Sequence, residues 1–200
     1  MSAVVAEKTC SPDDYLALER IAEFKSEFVQ GKIQAMTGAS REHNLVAMNI
    51  AGILRPQLKH RPCEAYLSDM RVKTGKANSY RYPDIAVVCG QPEFEDSHVD
   101  TLLNPTLLIE ILSPSTEASD RGDKFAEYRR IPSLQEYLLA AQDRPYMERY
   151  VRQGENWLLT ESKGVEVTVS LDAIGCELAL REVYDKVLAA PGLEQWPGVY

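Results

Sequence analysis

Short stretches of the chain alternate apolar with polar residues, or run apolar without a break, and turn residues separate them. KSEFVQGKIQAMT predicts a hairpin that turns at Gln30-Gly31, and MERYVRQGENWLLTE predicts another that turns at Gly154. YPDIAVV, TLLIEIL and SLQEYLLAA predict strands, and TLLIEIL, the most apolar, is expected to be central. EAYLSDMRVKT, residues 64–74, and VEVTVS predict two more strands, and residues 90–104 an acidic exposed loop.

Helices are predicted from start signals and from apolar positions at helical spacing. Ser11 followed by Pro12 starts a first helix, and Ser40 caps a second one that Pro56 is expected to kink or end. The apolar positions of the second helix recur at roughly helical spacing: Leu45, Met48, Ile53 and Leu58. Residues 119–130 predict a third helix and LREVYDKVL a short last one. This order of elements predicts an α/β (α+β) fold around one mixed sheet.

The composition is that of a soluble globular protein with one domain, residues 1–200. Apolar residues make up 44% and charged residues 26% of the chain, which separates it from disordered sequences. The length suits a single hydrophobic core. No apolar run is long enough to span a membrane, so no membrane partner is expected. The start MSAVVAEKTCS lacks a signal-peptide pattern, which favours a cytoplasmic location.

The four cysteines give no chemistry by their spacing. Cys10, Cys63, Cys89 and Cys176 lie far apart and form no C-x-x-C pair. This argues against a zinc ribbon and gives no indication of a disulfide framework. Cys89 ends an apolar run and is expected to be a small core residue.

Charge is unevenly distributed along the chain. The net charge of −8 argues against a protein that coats nucleic acid non-specifically, because phosphate contacts dominate that affinity. Basic residues nevertheless cluster between residues 54 and 81, where only Glu64 and Asp69 oppose them. The cluster consists of Arg55, Lys59, Arg61, Arg71, Lys73, Lys76 and Arg81. A solvated face is the interpretation that charge alone favours, and a phosphate-facing edge is the alternative. Asp69 is expected to pair with Arg71 or another neighbour.

Two carboxylates interrupt the apolar strands. Asp84 stands at the head of its strand, and Glu110 lies mid-strand on the same face as Leu108 and Leu112. A buried carboxylate is costly unless it has a partner. Sequential strands usually lie side by side, so Asp84 and Glu110 are expected to share a positive partner. A divalent metal ion is the simplest one, because hard cations take carboxylate oxygens.

A lysine and a tyrosine follow on the next helix. Lys124 and Tyr128 stand four residues apart and therefore share one helix face. A lysine near a metal ion can position an attacking water, hold a phosphate or stabilise developing negative charge. The residues by themselves leave these alternatives open.

The order of these motifs resembles a known superfamily. The Pro-Asp of YPDIAVV followed by the Glu-Ile-Leu of TLLIEIL resembles the PD-(D/E)XK nucleases, which have the restriction-endonuclease-like fold. Further motifs are similar to a large bacterial family of endonucleases that is expanded in cyanobacteria. They are PTLLIEILSPST, the spaced Asp120, Lys124 and Tyr128, PSLQEYLL, and FVQGKIQAMTGASREHN. The resemblance covers nearly the whole chain.

The resemblance implies a fold, a reaction and a set of site residues. It implies a central mixed β-sheet flanked by helices, with the active site at one edge of the sheet. It also implies Mg²⁺-dependent hydrolysis of DNA phosphodiester bonds by an activated water, with Mn²⁺ as a possible substitute. Asp84 and Glu110 would bind the metal ion, and the carbonyl of Ile111 would be a further ligand.

One position departs from the superfamily pattern. The motif requires a lysine two residues after the glutamate, and Leu112 stands there. Lys124 on the following helix is the expected substitute, so that the site stays active. The alternative is a catalytically silent protein that keeps the nuclease fold as a binding or assembly module. A serine hydrolase is poorly supported, because the chain has no G-x-S-x-G motif.

Three further residues remain candidates with two interpretations each. Glu27 matches an acidic family position and would complete the metal site, or it is a solvated hairpin carboxylate. His43 also matches a family position, where it would contact phosphate or act near the metal, or it is structural. Glu136 is either a supporting partner of the site or a structural residue. A homodimer is expected as well, since pairing would double the basic edge of an acidic protein.

Overall fold

The computed structural model describes residues 10–74 and 79–187, and short helices flank three β-sheets in it. The helices are α1 (Pro12–Glu19), α2 (Arg41–Leu58), α3 (Glu117–Ser119), α4 (Phe125–Tyr128) and α5 (Leu180–Val183), and a π-helical turn, Asp120–Lys124, joins α3 to α4. The strands are β1 (Ser26–Val29), β2 (Lys32–Ala35), β3 (Cys63–Leu67), β4 (Arg71–Thr74), β5 (Ser79–Arg81), β6 (Ile85–Cys89), β7 (Thr101–Leu102), β8 (Leu107–Leu112), β9 (Glu136–Ala141), β10 (Tyr146–Gln153), β11 (Asn156–Lys163), β12 (Thr168–Leu171) and β13 (Cys176–Ala179).

The largest sheet has six strands and is mixed, which confirms the predicted fold class. Its order is β11-β10-β9-β8-β6-β3. Strands β8 and β9 are parallel, whereas β6 pairs antiparallel with β8. All six residues of β8 are buried, as the apolar run TLLIEIL predicts for a central strand. A second sheet has the order β2-β1-β5-β4-β7, and β12 pairs with β13 alone.

One segment predicted as a single strand divides between two sheets, and another stands where the chain passes from one sheet to the other. Residues 64–74 form β3 in the six-stranded sheet and β4 in the five-stranded one, with a turn at residues 68–70 between them. YPDIAVV likewise follows β5 in one sheet and forms β6 in the other. The prediction of one continuous strand over 64–74 is therefore wrong. The turn at 68–70 contains neither glycine nor proline, so the sequence gives no signal for it. The second crossing leaves Asp84 directly before β6, at the junction of the two sheets.

Helix α2 packs on one face of the six-stranded sheet. Its buried residues follow each other at intervals of four: Val46, Ile50, Leu54 and Leu58. The predicted stripe shares only Leu58 with this set, and Met48 is exposed instead. The helix continues through Pro56 for two residues and ends at Leu58. Strands β12 and β13 and helix α5 complete this core, while the segment from α3 to α4 covers the opposite face of the sheet.

The basic cluster between residues 54 and 81 is not one surface. Arg71 and Arg81 are buried and form ion pairs with Asp100 and with two glutamates, and Lys73 pairs with Glu95. Neither a common solvated face nor a continuous phosphate-facing edge therefore describes the cluster. Lys76 lies outside the described residues.

The loop over residues 90–104 and Asp69 make further contacts. The loop contains β7, which pairs parallel with β4, and its carboxylates Asp96 and Asp100 bind Arg20. The loop is therefore fixed to the five-stranded sheet rather than simply exposed. Asp69 pairs with Lys25 at 2.6 Å.

A disulfide joins Cys63 to Cys89. These residues are register partners in the antiparallel pair of β3 and β6, so the sheet places them opposite each other although the sequence separates them by 26 residues. Cys89 packs against the core, as expected of a small core residue, but it is only partly buried and is bonded to Cys63. Only the strand register reveals this pair. Over residues 10–74 and 79–187, no helix is long and apolar enough to cross a membrane.

Candidate active site

Glu110 is a buried carboxylate in the middle of the central strand. Only 3% of the residue is exposed. It points to the side of the sheet where Leu108 and Leu112 lie in the core, as the alternation of β8 predicts. The segment from α3 to α4 covers this side, so polar groups from that segment meet the carboxylate.

Lys124 and Tyr128 both contact Glu110. The ammonium nitrogen of Lys124 lies 3.1 Å from Glu110 Oε1, and the hydroxyl of Tyr128 donates to the same oxygen at 2.9 Å. The Lys124 ammonium also lies 2.9 Å from Oδ1 of Asp120. The predicted sharing of one helix face is therefore correct, with the addition that Lys124 and Asp120 lie on the π-helical turn.

Asp84 lies beside the same strand. Its Oδ2 accepts a hydrogen bond of 2.7 Å from the backbone N–H of Ile111, the residue next to Glu110. Nε2 of His43, in the first turn of α2, lies 3.2 Å from the same Asp84 oxygen. The N–H and C=O of one strand residue point to the same side of the strand, so the Ile111 carbonyl is turned toward the side on which Asp84 lies.

The electrostatics of the site are unbalanced toward negative charge. Burial raises the pKa of Glu110 to about 8; Lys124 opposes this shift, while Asp120, Asp84 and Glu27 add to it. Burial by itself lowers the pKa of Lys124, but Glu110 and Asp120 raise it above its ordinary value. Burial, followed by Glu110, also raises the pKa of Tyr128. The site thus holds more carboxylates than one lysine compensates.

Glu27 lies near this cluster but already has a cation of its own. Its Oε2 accepts from Arg81 at 2.7 Å, and its Oε1 accepts from the backbone N–H of Tyr82 at 3.2 Å. Arg81 also donates to Glu127 at 3.0 Å. Glu27 is buried, so its interpretation as a solvated hairpin carboxylate is wrong. A role as metal ligand stays a prediction.

The donor set of the site suits Mg²⁺. Carboxylate and carbonyl oxygens are hard ligands, and Mg²⁺ is commonly held by one or two carboxylates together with water and substrate phosphates. Asp84, Glu110 and the Ile111 carbonyl are the groups that would supply such a set. Among residues 10–74 and 79–187, no three or more His, Cys, Asp or Glu side chains are grouped so that they could hold a metal ion by themselves. The raised pKa of Glu110 means that its ionised form is unfavourable in this site. A cation added here would offset that unfavourable free energy.

Sequence reasoning missed two residues of the site and one feature of the backbone. Asp120 was only one spaced residue of the family pattern, and Arg81 counted as part of a basic surface. The π-helical turn has no sequence signal except the polar run DRGDK. A search for acidic residues four positions before Lys124 would have found Asp120.

Comparison with known proteins places the chain in a family. Residues 12–181 match the model of the Uma2 family, described as "Putative restriction endonuclease". The uncharacterized protein sll1609 of Synechocystis is 40% identical over 165 residues, which cover 82% of this chain and 93% of that protein. The uncharacterized protein slr1290 of the same organism is 31% identical over 175 residues, covering 87% and 90%.

A solved structure shares the fold. A crystal structure described as "a putative nuclease belonging to DUF820", from Anabaena variabilis, superposes with a TM-score of 0.74 at 19% identity and covers 90% of this chain and 99% of that one. Together with the family match, this likeness makes the fold restriction-endonuclease-like. The chain belongs to the Uma2 family of restriction endonuclease-like proteins, and a nuclease-like function is what this family and fold support.

Proposed function

We propose that this protein is a metal-dependent endonuclease that hydrolyses DNA phosphodiester bonds. The observation that carries the proposal is the environment of Glu110. A carboxylate buried in the central strand faces one lysine and several further carboxylates, and Asp84 lies beside it through the N–H of Ile111. Such a site gains most from a divalent cation and from a substrate that brings its own phosphates.

The residues would divide the work as follows. Asp84, Glu110 and the Ile111 carbonyl would hold Mg²⁺ or Mn²⁺. A bound divalent ion supplies positive charge to the phosphoryl oxygens and makes a water more acidic. Lys124, fixed between Glu110 and Asp120, would present a preorganised positive charge where negative charge develops. This position compensates for Leu112, whose side chain is part of the core.

His43 and Tyr128 would act next to these groups. His43 stands in the first turn of α2 and 3.2 Å from Asp84, so it would orient that carboxylate or contact a substrate phosphate. Tyr128 donates to Glu110 and would hold this carboxylate in one orientation while the substrate binds.

The test is cleavage of supercoiled plasmid and single-stranded DNA with Mg²⁺ or Mn²⁺. We expect metal-dependent cutting that disappears in Asp84→Ala and Glu110→Ala together with metal binding. Lys124→Ala is expected to retain metal binding, measured by calorimetry, and to lose all but a residual rate of cutting. Lys59→Ala removes an exposed lysine and serves as the matched control with unchanged cutting.

Two results would redirect the proposal. Intact metal binding in Asp84→Ala would contradict the ligand assignment. A folded wild-type protein that cuts neither substrate would favour the catalytically silent binding module, for which the Leu112 substitution is the supporting observation. We also propose a homodimer, now on the resemblance to the superfamily alone, because the basic edge that pairing was expected to double is not a continuous surface. A monomer in sedimentation at micromolar concentration would count against it.

A further inference from the structure

Lys124 reaches Glu110 from an unusual piece of helix. Residues Asp120–Lys124 form a π-helical turn between α3 and α4, and both of its terminal residues are buried. A π-helical turn adds one residue to an α-helix and is found frequently at functional sites. Each residue of an α-helix turns the chain by about 100°, so an added residue decides which helix face meets the sheet.

Within the described part of the chain, the Asp120 side chain forms its ion pair with Lys124. The residue is 1% exposed, and its Oδ1 lies 2.9 Å from the Lys124 ammonium without a hydrogen bond of good geometry. A carboxylate so deeply buried is costly. The contact with Lys124 is therefore the feature that explains why an aspartate stands at this position.

The backbone of the turn is fixed from the sheet. The hydroxyl of Tyr137, on β9, donates to the carbonyl of Asp120 at 3.0 Å. Tyr137 belongs to the same core as Tyr128. The start of the π-helical turn is thus attached to the strand next to β8, and the end of the turn carries the lysine that faces β8.

We propose that Asp120 is a positioning residue for the reaction, which holds the Lys124 ammonium against Glu110, and that the extra residue of the π-helical turn makes this placement possible. The proposal rests on the proposed function for its catalytic consequence. Its geometric part is independent, because it concerns the ammonium of Lys124 and not the cleavage of DNA.

The first test is a double-mutant cycle. Asp120→Asn keeps the size of the side chain and removes its charge, and we expect kcat to fall roughly 10- to 100-fold with little change in KM, as a loss of transition-state stabilisation predicts. In a Lys124→Ala background the same substitution is expected to change kcat less than about twofold, because residues that act through one another are not additive. Asp123→Asn, exposed on the same turn, is the matched control.

An equal fall of kcat in both backgrounds would show that Asp120 acts through general stability rather than through Lys124. An unchanged kcat in Asp120→Asn would also overturn the proposal.

The second test changes the position of Lys124 and keeps the residue itself. Deleting Gly122 is expected to convert the π-helical turn to an α-helix and to rotate Lys124 away from Glu110, so that cleavage falls to the level of Lys124→Ala. Gly122→Ala is the control, since an added Cβ meets no heavy atom within 4 Å, and it is expected to cleave normally. A folded deletion variant with normal cleavage would overturn the role of the turn.

A third measurement needs no activity. The ammonium protons of a lysine give an NMR signal when ion pairs protect them from exchange with water. We expect the Lys124 signal in the wild type and in Asp123→Asn, and its loss in Asp120→Asn. Retention of the signal in Asp120→Asn would overturn the proposal. If the signal behaves as expected and the wild type does not cleave DNA, the proposed function fails and the positioning role stands.

Discussion

Two buried glutamates on neighbouring parallel strands have opposite surroundings. Glu110 lies on β8 and Glu136 at the start of β9, with exposures of 3% and 1%. Glu110 shares its face of the sheet with Leu108, whereas Glu136 shares the other face with Leu138. The two carboxylates therefore belong to different layers of the molecule, and Glu136 is not the supporting partner of the site that the sequence left open.

Glu136 has a partner of opposite charge. Its Oε1 lies 2.6 Å from Nη2 of Arg149 and accepts a hydrogen bond from the N–H of Ala173. Arg149 extends to Asp172 at 2.7 Å, in the turn between β12 and β13. This ion pair joins the small hairpin to the six-stranded sheet, which is a structural role.

Glu110 lacks such a balance. Lys124 is shared with Asp120, which is buried, whereas the second carboxylate on Arg149, Asp172, is exposed to solvent. Asp84 and Glu27 add further negative charge, so that burial and these neighbours raise the pKa of Glu110 to about 8. An ion pair of opposite charges stabilises the fold, whereas a buried carboxylate without full compensation is what the proposed metal site requires. The charge around each carboxylate therefore distinguishes Glu110 from Glu136, although both side chains are buried.

The largest expected effect comes from Glu110→Gln. We expect cleavage to fall by roughly 10²–10³-fold or more, because the amide neither holds the metal ion nor carries charge. At about pH 5, where Glu110 holds its proton, the free energy of unfolding of Glu110→Gln is expected to stay near that of the wild type, because neither side chain is then charged. Cleavage rates and urea unfolding measure both quantities. A normal rate in Glu110→Gln would remove the distinction between the two glutamates.

Glu136→Gln is expected to lower stability and to leave cleavage nearly unchanged, the reverse of Glu110→Gln. Breaking a buried ion pair on one side leaves Arg149 uncompensated and costs roughly 3–5 kcal/mol of unfolding free energy. Cleavage by the folded fraction is expected to remain within about twofold of the wild type. Urea unfolding and cleavage at a temperature below the transition test this. A loss of cleavage in a stable variant would place Glu136 in the active site.

The pH dependence of stability gives a third, smaller contrast. The pKa of Glu110 is about 8 in the folded state against an ordinary value of 4.5, so between these values the native state binds a proton that the unfolded state has released. The contribution to stability is therefore full below about pH 4.5 and is lost as the pH rises toward 8, with a slope of up to about 1.4 kcal/mol per pH unit.

The measurement is the difference in unfolding free energy between wild type and Glu110→Gln from pH 5 to 8 without metal. We expect the wild type to lose stability relative to the variant as the pH rises. A difference that stays constant over this range would mean that Glu110 is already ionised and is compensated by Lys124.

The smallest effect is expected for Tyr128→Phe. The substitution removes one donor to Glu110 Oε1, which is expected to cost about 1–3 kcal/mol of unfolding free energy, because a buried acceptor loses a partner. Cleavage is expected to fall less than about tenfold, since Lys124 still contacts the same oxygen. A loss as large as that of Glu110→Gln would instead identify Tyr128 as a catalytic residue.

Much of the site followed from local sequence pattern. The alternation of β8 placed Glu110 on one face, and the interval of four brought Lys124 and Tyr128 to one side of a helix. Adjacent pairing of β6 and β8 then placed Asp84 beside Ile111. These are nearest-neighbour relations, which periodicity encodes directly.

Other contacts did not follow from pattern. The strand predicted over residues 64–74 divides between two sheets, and Cys63 meets Cys89 only because β3 and β6 adopt one particular register. Glu27 finds Arg81 across 54 positions of sequence. None of these contacts has a local signal, because each depends on how separate layers are aligned.

The sequence by itself determined that carboxylates interrupt two apolar strands, that a lysine and a tyrosine follow on one helix face, and that the fold is a mixed sheet with helices. The tertiary structure decided which carboxylate is balanced and which is not. Glu110 and Glu136 look alike in sequence, as single acids in apolar runs. Charge balance depends on the side chains that surround each carboxylate. The register of the sheet and the π-helical turn decide which side chains those are.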